Sequence, residues 1–511
     1  MNRFFARSLP VALALGASLA LTASAWAEDL EGTVRQAIGA AKLQSQAEVG
    51  VSVIDVGTLE PVVSIQATRA LIPASNLKLL TSGAALMVLG PDFQFRTELL
   101  ADGPRVIIRG SGDPGLGDPK LLAARKWSVE SLLDQLAVAA EKAGIKGVTE
   151  VIVDDRVFDR FTINPGWPQK QLNLWYCAPI TGLNFHTNCL EIYPRAGDRA
   201  GAPVQVATQP SAPWIQIDTS SSRTTRDGAT SLWAQQVPSE AVYGFKLFGT
   251  LRTTAAGIEA TREPIEVTVD EPGLMLGKLL RDALVRRGLV ATPSVTVRLA
   301  QMAETFPGEK TFAVVATPLA TVLQRCNTDS QNLYAEALVK RIANQVTGQP
   351  GSWANGTTVV RGKLIETLGA DIGDVRLSDG SGLSRDNTVP PLTLARWLAA
   401  LHRNDHLRKP MLESMATADD GRLEGRFKDR RLTARVHAKT GYIRGVLCLS
   451  GYVTLESPTD HADDRTLAFS ILINNTQSSI SQARELQEDI VQALDRHLVR
   501  NAPKAQPALG G

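Results

Sequence analysis

The chain has 511 residues, 44% of them hydrophobic, with 54 Lys and Arg against 52 Asp and Glu. So balanced a charge argues against a nucleic-acid partner, whose binding draws on a basic surface that neutralises phosphates. The apolar content suffices for a large core, and the length exceeds what one core usually organises, so two or three domains are expected.

Residues 1–27 read as an export signal. Arg3 and Arg7 precede the nearly unbroken apolar run from Leu9 to Leu21, and Ala25-Trp26-Ala27 fits a small-x-small cleavage site. The run is short for a helix that must cross about 30 Å of hydrocarbon, so removal in an extracytoplasmic compartment is expected rather than a retained anchor. Val49 to Asp55 then alternates as a strand, and Ala74-Ser75-Asn76-Leu77-Lys78-Leu79-Leu80 opens an apolar helix running toward Gly90.

Between about 91 and 310 strand and helix signals recur. Val106 to Arg109 and Val151 to Val153 are short strands, and Val129, Leu132, Leu133, Leu136 and Ala140 mark a helix face ending at Gly144. Ile265, Val267 and Val269 alternate, and a helix through Leu276, Leu279, Leu280 and Leu284 ends at Gly288. Cys177 and Cys189, twelve apart with little helical periodicity between them, suit a local disulfide in an oxidising compartment, the alternative being two buried thiols. Cys326 and Cys448 complete the set, and sequence does not choose among the pairings.

Helical character returns through Leu323, Leu333, Ala337, Leu338, Leu364, Leu394 and Leu398. Strands follow at Gly445 to Leu455 and Leu467 to Ile473, and a last helix carries Leu486, Ile490, Leu494 and Leu498. The chain is therefore expected to form an α/β domain from its two ends, with an antiparallel sheet of early and late strands flanked by helices. That places catalytic-domain segments at 28–90 and 311–497, inserted structure at 91–310 and a disordered tail at 498–511.

Three triplets in the discontinuous domain carry chemistry. Ser75 and Lys78 lie three residues apart, over one helix face, so a neutral amine can take the proton of a weakly nucleophilic hydroxyl; alone, Ser75 is as readily a helix cap. Ser330 and Asn332, in Ser330-Gln331-Asn332, can relay a proton and orient an amine or substrate amide. Lys439-Thr440-Gly441 precedes an apolar strand, where a cation and hydroxyl bind a carboxylate and glycine admits a substrate backbone against the sheet edge. Each triplet is common, but their ordered combination describes penicillin-binding proteins and serine β-lactamases.

Longer segments extend the likeness: Gly110-Ser111-Gly112-Asp113-Pro114, Asp154-Asp155-Arg156-Val157-Phe158-Asp159, Ser330-Gln331-Asn332-Leu333-Tyr334-Ala335-Glu336, Asp379-Gly380-Ser381-Gly382-Leu383-Ser384-Arg385, Ala438-Lys439-Thr440-Gly441 and Leu449-Ser450-Gly451-Tyr452. With Pro73-Ala74-Ser75-Asn76-Leu77-Lys78-Leu79 they make the chain resemble the D-alanyl-D-alanine carboxypeptidase/endopeptidase family, the low-molecular-mass class C penicillin-binding proteins of peptidase family S13. The resemblance implies a penicillin-recognising transpeptidase or β-lactamase-like domain with two smaller inserted domains, in a periplasmic enzyme. Its expected partners are peptidoglycan stem peptides and acylating β-lactams, with no cofactor and no metal; a homodimer and a peripheral membrane contact are compatible with it. It also implies the catalytic set Ser75, Lys78, Ser330, Asn332 and Lys439, with Thr440, Gly441 and Tyr442 binding substrate and the N–H groups of Ser75 and Tyr442 meeting the oxyanion. Two departures stand out: Gln331 where the family usually has Asp, and Tyr442 where it usually has Thr, which removes a hydroxyl contact but keeps the backbone donor.

Other signals are weaker. Gly110-Ser111-Gly112-Asp113-Pro114-Gly115 fits a dinucleotide fingerprint in form, but Pro114 and the lack of an immediate helix favour a structural turn. His402 and His406 lack the glutamate of a metalloprotease helix and read as surface residues. Asp154, Asp155 and Asp159 form no ordered ligand set and are expected at a domain junction. A serine β-lactamase and a noncatalytic peptidoglycan-binding protein are the competing functions; the long insertion argues against the first, and the presence of both Ser75 and Lys78 against the second.

Overall fold

The computed structural model describes residues 30–238, 243–253, 263–292, 294–457, 465–476 and 480–502. The expected export signal lies outside them. The described residues form two compact units: those within 30–80, 364–376 and 387–502 make the first, those within 81–363 and 377–386 the second.

The first unit is built on an antiparallel five-stranded sheet in the order Arg435–Ile443, Val446–Leu455, Arg465–Asn474, Glu48–Asp55, Pro61–Ile65. Early and late strands thus meet as their alternation predicts: Val51 faces Ile471, and Leu449 faces Ile471 from the other side. Because side chains alternate between faces, Val49, Val51, Val53, Leu447, Leu449, Phe469 and Ile471 enter one core with Leu30, Val34, Leu486, Ile490 and Leu494 of the helices at 30–40 and Ile480–Arg500. The opposite face meets the helix Pro391–Arg403, where Tyr452 donates its hydroxyl to Leu398 O at 2.8 Å. The last helix continues to Arg500 with Leu498 buried. The expected tail therefore begins too early: Leu498 completes the apolar stripe, and residues 503–511 lie outside the described ones.

The second unit holds a mixed sheet in the order Thr296–Leu299, Glu150–Asp154, Arg105–Arg109, Gln94–Asp102, Lys310–Pro318. The helices Val129–Lys142 and Pro272–Arg286 bury Leu132, Leu136, Leu276 and Leu280 in the same core as Val106, Ile108, Val151 and Val153. Two three-stranded sheets extend that core through Leu190, Ile192, Phe245 and Leu247. The helices Leu319–Asn327 and Asn332–Thr347 also group with this unit.

All four cysteines are buried free thiols, which overturns the expected Cys177–Cys189 disulfide. Cys177 closes a short 3-10 turn, Trp175–Cys177, while Cys189 opens a strand paired with Thr268. The intervening residues therefore do not close a loop around a bridge, and burial pushes the Cys177 thiol up to about 12. Among the described residues no helix is long and apolar enough to cross a membrane.

Candidate active site

In the first unit the segment before Ser75 is clamped. Asn474 accepts the Ile72 N–H at 2.8 Å and donates to Ile72 O at 3.0 Å. Ala74 then takes a left-handed φ of 44°, an uncommon conformation outside glycine, and a single 3-10 turn, Ala74–Asn76, feeds the helix Leu77–Leu89. Helical spacing brings Lys78 Nζ to 3.1 Å from Ser75 Oγ. Lys78 has no exposed surface, while Ser75 is half-buried and reachable.

Asn76, between them, was not foreseen as a functional residue. It is fully buried, donates Nδ2 to Lys439 O at 2.7 Å and accepts the Ser450 hydroxyl at 2.6 Å. Ser450 faces Lys439 in the strand register and lies 3.0 Å from Ser470 on the next strand. A polar row thus crosses the centre of an otherwise apolar sheet and ties the Ser75 turn to the Lys439 strand. The sequence signal for it was faint: one serine inside each of two apolar strands.

Lys439 is fully buried and donates to Thr440 O at 2.8 Å. At Gly441 a Cβ would sit 3.0 Å from Pro73 O, 3.1 Å from Ser75 N and 3.2 Å from Ala74 Cβ. A side chain here would crowd the Ser75 backbone, so glycine eases the close approach of this strand. Thr440 is half-buried, and the Tyr442 side chain points outward with 56% of its surface exposed.

Ser330 and Asn332 belong to the second unit. Ser330 has φ of 63°, and Asn332 opens the helix Asn332–Thr347 and donates to Tyr176 O at 2.8 Å. The preceding loop rests on a buried cluster. Arg325 donates to Asp118 Oδ2 at 3.0 and 2.7 Å and to Asp329 at 2.5 Å, and the Tyr334 hydroxyl donates to Asp118 at 2.5 Å. Burial pushes the Asp329 carboxyl up, but Lys120 and Arg325 outweigh it and hold the group below the usual range.

One turn beyond Asn332, the wholly buried Glu336 accepts the N–H groups of Gly380 and Ser381 and the Trp353 indole, each at 2.8 Å. Asp379 accepts the N–H groups of Gly382 and Ser384 and the Trp167 indole. Two carboxylates therefore shape the Asp379–Ser384 loop by its backbone donors. Burial, and then the Asp379 charge, push the Glu336 carboxyl upward. Thr81, three residues after Lys78 on its helix, donates to Gly380 O at 2.8 Å.

The remaining motifs are structural here. Gly112, at φ of 83°, packs on the Phe158 ring, which a Cβ would meet at 2.2 Å, so this motif is a turn. Asp154 pairs with Arg109 and Arg156, Asp155 with Arg160, and Asp159 with the buried Lys340 at 2.6 Å. His406 is exposed, and His402 is half-buried against the Tyr452 ring.

Residues 32–497 match the D-Ala-D-Ala carboxypeptidase 3 (S13) family. A D-alanyl-D-alanine carboxypeptidase of Actinomadura sp. strain R39 is 29% identical over 477 residues, 90% of this chain and 84% of that one. One from Haemophilus influenzae is 25% identical over 479 residues, 88% and 90% of the two chains. The crystal structure of penicillin binding protein 4 from H. influenzae superposes with a TM-score of 0.72 at 23% identity, covering 92% of this chain and 99% of that one, which shows the fold. The match from residue 32 to residue 497 spans most of the chain, and the chain belongs to the D-Ala-D-Ala carboxypeptidase 3 (S13) family of serine hydrolases.

Proposed function

We propose that this enzyme cleaves D-Ala-D-Ala bonds, and D-Ala–meso-diaminopimelate cross-links, of peptidoglycan peptides in the periplasm through an acyl-enzyme on Ser75. The observation that carries the reading is the 3.1 Å approach of the buried Lys78 amine to the half-buried Ser75 hydroxyl. In this reading residues 28–90 and 311–497 act as the catalytic domain, with 91–310 inserted.

Lys439 and Thr440 hold the terminal carboxylate. Lys78, as the neutral amine, takes the Ser75 proton while Oγ attacks the penultimate carbonyl carbon. The N–H groups of Ser75 and Tyr442 meet the oxyanion, the kind of preorganised donor pair that usually supplies the largest catalytic contribution; the packing of Gly441 on the Ser75 backbone supports that placement. Ser330 passes a proton to the departing amine as the C–N bond breaks, with Asn332 orienting the array. Water then hydrolyses the ester and restores Ser75. A β-lactam acylates the same hydroxyl, its strained amide standing in for the scissile bond; a related H. influenzae protein has been crystallised with a β-lactam.

Release of D-alanine from a soluble pentapeptide tests the reading. The wild type releases it and Ser75→Ala does not; equal release by both would refute the nucleophile assignment.

A further inference from the structure

We propose that a cleft in the second unit is an accessory site for a carboxylate of the peptidoglycan polymer, a proposal that rests on the substrate reading above. The cleft encloses about 500 Å³ and is lined by Arg96, Arg109, Ser111, Arg156, Met302 and Arg341, with Glu98 and Asp154 also on its wall. That size lies within the usual range of small-ligand pockets. Arg341 stands nine residues beyond Asn332 on the same helix, a rise of roughly 13 Å, so the cleft is separate from the Ser330–Asn332 end.

Its arginines are not equally partnered. Arg109 is taken up by Asp154 at 3.0 Å and by Glu309 at 2.8 and 2.5 Å. Arg156 gives Nε and Nη2 to Asp154 at 2.7 and 2.9 Å and turns Nη1 to backbone carbonyls. Arg96 has only a long 3.5 Å approach to Glu98 and is half exposed. Arg341 donates both Nη groups to the neutral amide oxygens of Asn344 and Gln345, each at 2.9 Å, its Nε is buried with no hydrogen-bond partner, and its guanidinium lies over the Phe93 ring.

Arg109 and Arg156 thus have Asp154 and Glu309 beside them, and Arg96 has Glu98. Arg341 differs: its guanidinium is partly withdrawn from water and, among the described residues, no acid pairs with it. An anion entering the cleft would supply the missing partner through a charge-assisted contact. A single guanidinium without an acid suits a carboxylate monoanion better than a phosphate dianion, and carboxylates recur along peptidoglycan stem peptides.

The test uses full-length protein whose active site is blocked, either acylated by benzylpenicillin or carrying Ser75→Ala. Binding of N-acetylmuramyl-L-alanyl-D-glutamate, which keeps the free α-carboxylate of the stem peptide, is measured by calorimetry, with inorganic phosphate and anionic phospholipid vesicles as parallel probes. The muramyl peptide is expected to bind the blocked protein and to lose roughly tenfold in affinity, the equivalent of one charge-assisted contact, in Arg341→Gln and in the surface variant Arg96→Glu. The same variants should release D-alanine from soluble pentapeptide at the wild-type rate but more slowly from intact sacculi. Unchanged binding in both variants, or preferential binding of phosphate or vesicles, overturns the proposal. Absence of a penicillin adduct would count instead against the catalytic reading, since the Ser75→Ala arm does not depend on acylation.

Discussion

Ser75 and Lys78 could be paired from sequence because the helix fixes the geometry of residues three apart, and the structure shows the contact at 3.1 Å. General-base catalysis is commonly worth about 10²–10⁴-fold, so Lys78→Met should slow benzylpenicillin acylation by roughly that factor, read by stopped-flow fluorescence; a change under threefold would remove Lys78 from the mechanism. Tyr442 was legible as a departure from the family pattern, and its exposed side chain explains how a bulky residue fits there. Replacing it with threonine restores a hydroxyl beside the expected carboxylate site. A hydrogen bond worth about 1 kcal/mol corresponds to roughly fivefold, so Tyr442→Thr should raise kcat/KM for a D-Ala-D-Ala peptide by about that much, mainly through KM. Asn76 was missed because its function lies in what it touches across 363 residues of sequence separation, which no local pattern records.

At the scale of elements, the strands of the first unit were readable because period-two alternation survives at both chain ends, whereas their order in the sheet came only from the pairing of Glu48–Asp55 with Arg465–Asn474. The loop Asp379–Ser384 shows the limit of such reading. Its motif was visible, but its conformation is set by Glu336 and Asp379 accepting four backbone N–H groups, a matter of tertiary placement. Glu336→Gln keeps the size but turns an amide donor toward one of those N–H groups or toward the Trp353 indole. Leaving a buried donor unsatisfied costs about 1–3 kcal/mol. The variant should therefore melt several degrees lower, and Glu336→Asp, which keeps the charge, should recover part of the loss; equal melting of Glu336→Gln and wild type would show that this carboxylate does not shape the loop. The expected disulfide failed for a related reason, since a spacing of twelve says nothing about which elements fill the interval.

For the whole molecule, buried acids set the pH dependence of stability. Burial raises the Asp113 carboxyl from its ordinary 3.8 to about 6, against the opposing hydrogen bonds from Thr317 and Gly115. The folded protein therefore holds this proton more tightly than the unfolded chain between those values. Stability from this group falls as pH rises through that window and levels off above it, by about 3 kcal/mol if the shift is fully expressed. Glu336, also shifted upward, acts in the same direction. Asp113→Asn keeps acceptor and donor atoms for Gly115 and Thr317 but cannot titrate, so the difference in Tm between pH 4 and pH 7 should change by several degrees in favour of the variant at pH 7; an identical difference would contradict the assignment.

The most direct test of the central claim is intact-protein mass spectrometry before and after benzylpenicillin, followed over hours, with Ser75→Ala alongside. An acyl-enzyme on Ser75 predicts one added penicilloyl mass, absent in the variant and mapped by peptide digestion to the segment holding Ser75. No adduct on the wild type, or the same adduct on Ser75→Ala, would contradict it.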